Sequence, residues 1–151
     1  MAASAWAFYH EAKHKLCIGD TSGFNLSADI FRIALYKTAA TSPADLLTLS
    51  IQSQISNECS GGNYAAGGKT LSNSTWTTTA TSVQKFDADD WVITASGSAI
   101  TSVLFAAICN SITGTSGFLL CFSQLSNAAF PVAQDNTLTV QMNTAGIFTL
   151  A

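Results

Sequence analysis

Apolar and polar positions follow a helical period at the start of this chain and a period of two through most of the rest. From Ser4 to about Leu16, Trp6, Phe8, Tyr9, Ala12 and Leu16 form a broad apolar stripe near helical spacing. Ser4 is placed to cap such a helix and Gly19 to stop it. The period then changes. In Asp29–Lys37, Phe31, Ile33 and Leu35 fall on one face of a strand, with Arg32 and Tyr36 on the other. A connection with Pro43 runs from Thr38 to Asp45, and Leu46–Ser56 fits either a helical turn or a strand. The glycine-rich stretch Gly61–Gly68 reads as a long turn in which backbone freedom outweighs side chains. Further strands are expected at Thr75–Thr81, Val83–Asp87, Trp91–Ala95, Ile100–Asn110, Gly117–Gln124, Thr137–Met142 and Ile147–Leu150.

Seven or eight short strands separated by Gly, Ser, Asn and Asp predict a mainly β chain: an antiparallel β-sandwich or jelly-roll-like domain with one N-terminal helix at about 4–16. No composition shift, heptad array or longer repeat divides residues 1–151, so a single domain is expected.

Composition narrows the function. The 151 residues are 48% hydrophobic and 10% charged, which excludes a disordered chain. The longest apolar run, Val103–Cys109, falls far short of the roughly 20 residues of a membrane-spanning helix, and no membrane partner is expected. Six basic residues against nine acidic ones give a net charge of −3 and no cationic stripe for nucleic acid. All six cations (Lys13, Lys15, Arg32, Lys37, Lys69, Lys85) precede Phe86, and from there on only Asp87, Asp89, Asp90 and Asp135 carry side-chain charge. Free monomers normally mix both signs on their surface, so this half is expected to be covered by neighbouring subunits. The start shows no basic-then-apolar leader, and no two of the four cysteines (Cys17, Cys59, Cys109, Cys121) form a CxxC pair. Buried free thiols are expected, with a Cys109–Cys121 contact across a hairpin left open.

Motifs for chemistry are weak. His10-Glu11-Ala12-Lys13-His14 matches HExxH, whose two imidazoles on one helix face hold Zn²⁺ with the glutamate as general base. The helix starts too near the N-terminus for an upstream substrate-holding strand, and the remaining glutamate is Glu58. A solvated helix face explains the four polar residues better. Asn63–Thr70 resembles a phosphate loop but lacks its first glycine and the helix that must follow. Asp87, Asp89 and Asp90 lack the spacing of a calcium loop and read as an acidic turn. There is no Gly-x-Ser-x-Gly elbow, and both histidines lie in one segment, so no nucleophilic triad is expected.

Read together, several segments resemble a family of small virion structural proteins of tailed double-stranded DNA bacteriophages. They are the aromatic start Ala5–Tyr9, the strand Asp29–Tyr36, the loop Asn63–Leu71, the acidic step Phe86–Trp91, and the closing pair Leu138–Met142 and Ala145–Leu150. The Tyr-x-x-Gly-Gly-Lys-x-Leu and Ala-Gly-Ile-Phe-x-Leu segments are the most specific of these. The resemblance implies a non-enzymatic particle component without cofactor or metal, assembled in the host cytoplasm and located in the virion. Its partners would be the major capsid protein or other virion proteins, with further copies of itself. A capsid decoration or cement protein is the leading expectation, a neck, tail or fibre component the alternative, and a zinc-dependent hydrolase using His10, Glu11 and His14 the remote one. Trp6, Phe8, Tyr9, Trp76 and Trp91 are the expected interface anchors.

Overall fold

A computed structural model of the chain describes residues 3–19, 24–37, 46–79, 83–111 and 117–150. The connection expected at 38–45 and the end of the strand expected at 75–81 lie outside these. Among the described residues the fold is mainly antiparallel β with one α-helix, and it is β-sandwich-like. Strands β1 (Ala7–Phe8), β2 (Phe31–Tyr36), β3 (Lys69–Thr70), β4 (Thr75–Thr78), β5 (Gln84–Asp87) and β6 (Trp91–Thr94) come first. They are followed by β7 (Ile100–Val103), β8 (Phe105–Asn110), β9 (Leu119–Gln124), β10 (Phe130–Val132), β11 (Thr137–Val140) and β12 (Phe148–Leu150). The five-stranded sheet has the order β1-β9-β8-β2-β3, a three-stranded sheet runs β12-β5-β4, and β10-β7 and β11-β6 form two-stranded sheets.

The two larger sheets meet where Phe31 of β2 and Phe8 of β1 pack against the three-stranded sheet. Phe31 stands edge-on to Phe86 of β5 at 4.9 Å, Phe86 stacks on Phe148 of β12 at 5.2 Å, and Phe8 of β1 closes on Phe148 at 4.4 Å. These edge-to-face and offset contacts are the preferred arrangements of aromatic quadrupoles. Outside this layer the β6–β11 pair alternates as a half-buried ribbon should: Trp91 and Val140 are buried, while Val92, Thr94, Thr137 and Thr139 face outward.

The N-terminal segment departs from the expected helix at 4–16. The helix, α1, spans His10–Ile18, and the residues before it are extended, with β1 pairing Ala7 to Phe122 and Phe8 to Cys121. Ser4 is not a helix cap. Its backbone N–H donates to the Gln124 carbonyl (2.8 Å), and its Oγ accepts the Gln124 N–H (2.9 Å), tying the chain to the end of β9. The apolar stripe suits either conformation, and burying Phe8 and Tyr9 against the sheet outweighs helix propensity. Gly19 does stop the helix, in the left-handed region at φ 66°, with its N–H on the Lys15 carbonyl.

The long strand expected at Ile100–Asn110 is two strands. Ser102 has φ 58°, and the Leu104 N–H leaves for the Tyr36 carbonyl (2.9 Å), so the chain pairs with β10 before this point and joins the five-stranded sheet after it. Such a corner lets one segment serve two sheets. β10 went unread because Pro131 lies within it; proline is tolerated on an edge strand, and the register shifts there.

Candidate functional site

The glycine-rich loop is anchored by the nearby Glu58 and by two residues of β2 distant in sequence, Arg32 and Leu35. Glu58 Oε1 accepts hydrogen bonds from the Tyr64 hydroxyl and the Gly67 N–H, both at 2.7 Å. The same hydroxyl accepts the Leu35 N–H of β2 (2.9 Å), and the Arg32 guanidinium donates to the Gly68 carbonyl (2.9 Å). Gly68 has φ 73°, and a Cβ there would overlap the Ile33 carbonyl, so this position needs glycine. A carboxylate already holds the loop amide that a phosphate would need, and β3 rather than a helix follows. The loop is a structural clamp.

Each aspartate of the acidic turn has its own partner. Asp87 pairs with Lys85 (2.8 Å), Asp89 accepts from the Asn73 amide (2.7 Å), and Asp90 accepts the Met142 N–H (2.7 Å). The three carboxylates tie three chain segments together instead of converging on one point. His10 and His14 are exposed on α1, and Glu11 lies 3.7 Å from Lys15 one turn on. The Lys15 ammonium also lies 4.5 Å from the centre of the Phe118 ring. Among the described residues no group of three or more His, Cys, Asp and Glu side chains comes together as a metal site would require.

All four cysteines are free thiols, with Cys17 exposed and the others buried. In the β8–β9 register Cys121 opposes Ile108 and Cys109 opposes Leu119, so the two are not cross-strand partners. The Cys109 S–H points at Gln52 Oε1 at 3.3 Å. Burial pushes the Cys59 and Cys109 thiols up to about 12 and raises Cys121 as well. A thiol held protonated is a poor nucleophile, so these three are packing residues.

The five aromatic anchors divide. Tyr9 and Trp91 are buried in the core. Phe8 and Trp76 are half-buried and share one neighbour, Phe148, with Trp76 at 6.0 Å from it. Trp6 alone lines an open groove of about 860 Å³, together with Leu125, Phe130, Leu138 and Met142. None of the residues lining this groove is ionisable; its polar members are Ser, Thr, Gln and Asn. An apolar floor with a neutral polar rim suits contact with another protein surface. Sequence reasoning flagged Trp6 and missed the other four, which come from separate segments and share no local pattern. The low charge after residue 85 was their one collective signal. Comparison of the chain with protein-family models, with curated proteins and with solved structures finds no match.

Proposed function

We propose that this chain is a non-enzymatic structural component of a tailed-phage virion, acting as a capsid decoration or cement protein. The observation that carries the reading is the uncharged groove at Trp6, whose lining comes mostly from the low-charge half after Phe86. A copy seated on the capsid lattice would bury that groove against a neighbouring subunit. Binding the assembled shell but not free subunits stabilises the shell by mass action. Contacts repeated over the lattice add avidity without requiring a tight single site. The family-like segments Asn63–Leu71 and Ala145–Leu150 point in the same direction.

The experiment is to wash purified particles in rising salt and quantify this chain among the retained proteins. Attachment by apolar burial survives molar salt, because screening acts on ion pairs and not on the hydrophobic effect. Retention at hundreds of copies per particle is the expected result. Six or twelve copies would assign the chain to a ring in the neck or tail, and ready elution as a stable monomer would reject the cement reading.

A further inference from the structure

Among the described residues, the edge of the three-stranded sheet formed by β4 is open and unguarded. Edge strands are normally protected by shortness, proline, a register break or charge. β1 and β3 have two residues each, with Lys69 in β3, and β10 carries Pro131 and a register shift. The β6–β11 pair is bracketed by Asp89, Asp90 and Asp135, which would bring carboxylates together if two copies met there. β4 has none of these devices. It pairs with β5 without a register shift, and no charged residue or proline occurs from Thr70 to Val83.

The ladder defines which backbone groups are free. The Thr79 N–H donates to the Val83 carbonyl (2.8 Å), which makes these two residues a hydrogen-bonded pair. Hydrogen-bonded pairs recur at every second residue of an antiparallel ladder, so Thr75 and Thr77 direct their backbone groups at β5. The N–H and C=O of Trp76 and Thr78 therefore point to the open side. Thr75, Thr77 and Thr78 are exposed there.

We infer that β4 is a strand-addition site for a second copy of this chain, the two β4 strands pairing antiparallel about a two-fold axis at Thr77. In that register Trp76 opposes Thr78 of the second copy and the reverse, giving four backbone hydrogen bonds with no free group on either strand. The edge is thus self-complementary, as a two-fold interface must be. Charge permits it. Lys85, the cross-strand neighbour of Thr77, is neutralised by Asp87, and the two copies of Lys85 stand three strand spacings apart, about 14 Å, beyond the screening length of ~8 Å. Four residues cover less than the roughly 1,000 Å² of a lasting interface, so the pairing is transient in dilute solution and is populated where copies are concentrated. The inference does not depend on the particle reading.

A covalent trap tests it in the purified full chain, with the exposed Cys17 replaced by Ser. At the axis, Thr77 and its copy form a pair without hydrogen bonds, with Cα atoms about 4.5 Å apart, within disulfide reach. Thr77→Cys should give a disulfide dimer at least about tenfold faster than Thr75→Cys, whose copies lie about 14 Å apart. Mixing Thr75→Cys with a mass-tagged Thr79→Cys should give the mixed dimer, because those positions oppose each other in the same register. Adding Thr78→Pro to Thr77→Cys removes an outward N–H and should bring its rate down to that of Thr75→Cys. Equal rates for Thr77→Cys and Thr75→Cys, or no mixed dimer, would overturn the inference. Either outcome leaves the salt-wash test of the particle reading untouched.

Discussion

The two faces of the five-stranded sheet are both dry, yet they are built from different materials. One face carries Phe31, Ile33 and Leu35, and at Phe31 it meets the three-stranded sheet ring against ring. The other presents Arg32, Tyr36, Phe105, Cys109 and Phe122 beneath the chain around Tyr9 and the segment containing Gln52. Here the Tyr9 hydroxyl and the Arg32 Nε are buried without a hydrogen-bond partner among the described residues, and the buried Tyr36 hydroxyl has only the Gln52 side chain beside it. Burial alone therefore does not make the faces equivalent. The first gains dispersion and hydrophobic transfer outright; the second loses part of the same gain to polar groups taken out of water.

The largest expected effect breaks the first face. Phe86 is fully buried and touches both Phe31 and Phe148, so Phe86→Ala removes the centre of the ring stack. A loss of about 3–5 kcal/mol is expected, read as a lower urea midpoint with an unchanged slope.

Alkaline pH attacks the second face. Cys59 and Cys109 titrate at about 12 when folded, and Tyr9, Tyr36 and Tyr64 are raised further, in each case mainly by burial. Between the unfolded and folded values the unfolded chain has released a proton that the native state still holds, so stability falls as pH rises. It should be level below the unfolded thiol pKa and decline from about pH 9 towards 12, by about 1.4 kcal/mol per pH unit for each such group. Urea midpoints across this range check the limb, and Cys109→Ala should make it shallower. A flat profile to pH 11 would show that these groups are not buried as described.

A matched pair of hydroxyl deletions sharpens the contrast at smaller scale. Tyr64 bridges the Leu35 N–H and Glu58, so Tyr64→Phe leaves a backbone donor and a carboxylate short of a partner and should cost about 1–3 kcal/mol. Tyr36→Phe deletes a buried hydroxyl whose polar neighbour is the Gln52 side chain, in place of a bridge between a backbone N–H and a carboxylate, and should cost less, about 1 kcal/mol or under. Equal losses in the two variants would make the Tyr36–Gln52 contact as strong as the Tyr64 bridge.

The same asymmetry explains what could be read from the residues. Period-two alternation in β2 is local and identified its apolar face, and runs of β-branched and aromatic residues bounded by turn residues identified the mainly β class. Nothing local tells what covers Arg32 and Tyr36 on the other face, because a polar-tipped side chain reads alike whether water or a distant segment covers it. The stripe Trp6, Phe8 and Tyr9 satisfied a helical period while its residues were extended against β9, a choice decided by long-range pairing. The groove at Trp6 was the least legible feature, since Phe130, Leu138 and Met142 converge only through the sheet topology.

The smallest expected effect concerns the outer side of α1. The inward Ala12 is fully buried, while His10 and His14 are exposed one turn apart. Among the described residues neither imidazole has a hydrogen-bond partner, and Glu11 and Lys15 form an ion pair on this helix. Exposed substitutions away from caps, cores and networks change stability by no more than about 0.5 kcal/mol. Alanine also has the higher helix propensity, which offsets part of any loss. His10→Ala and His14→Ala should therefore keep their urea midpoints and their incorporation into particles. If the pair instead held zinc, metal analysis of the purified protein would find it in stoichiometric amount, and both variants would lose it. That result would move function from the apolar groove to the helix and restore the hydrolase reading.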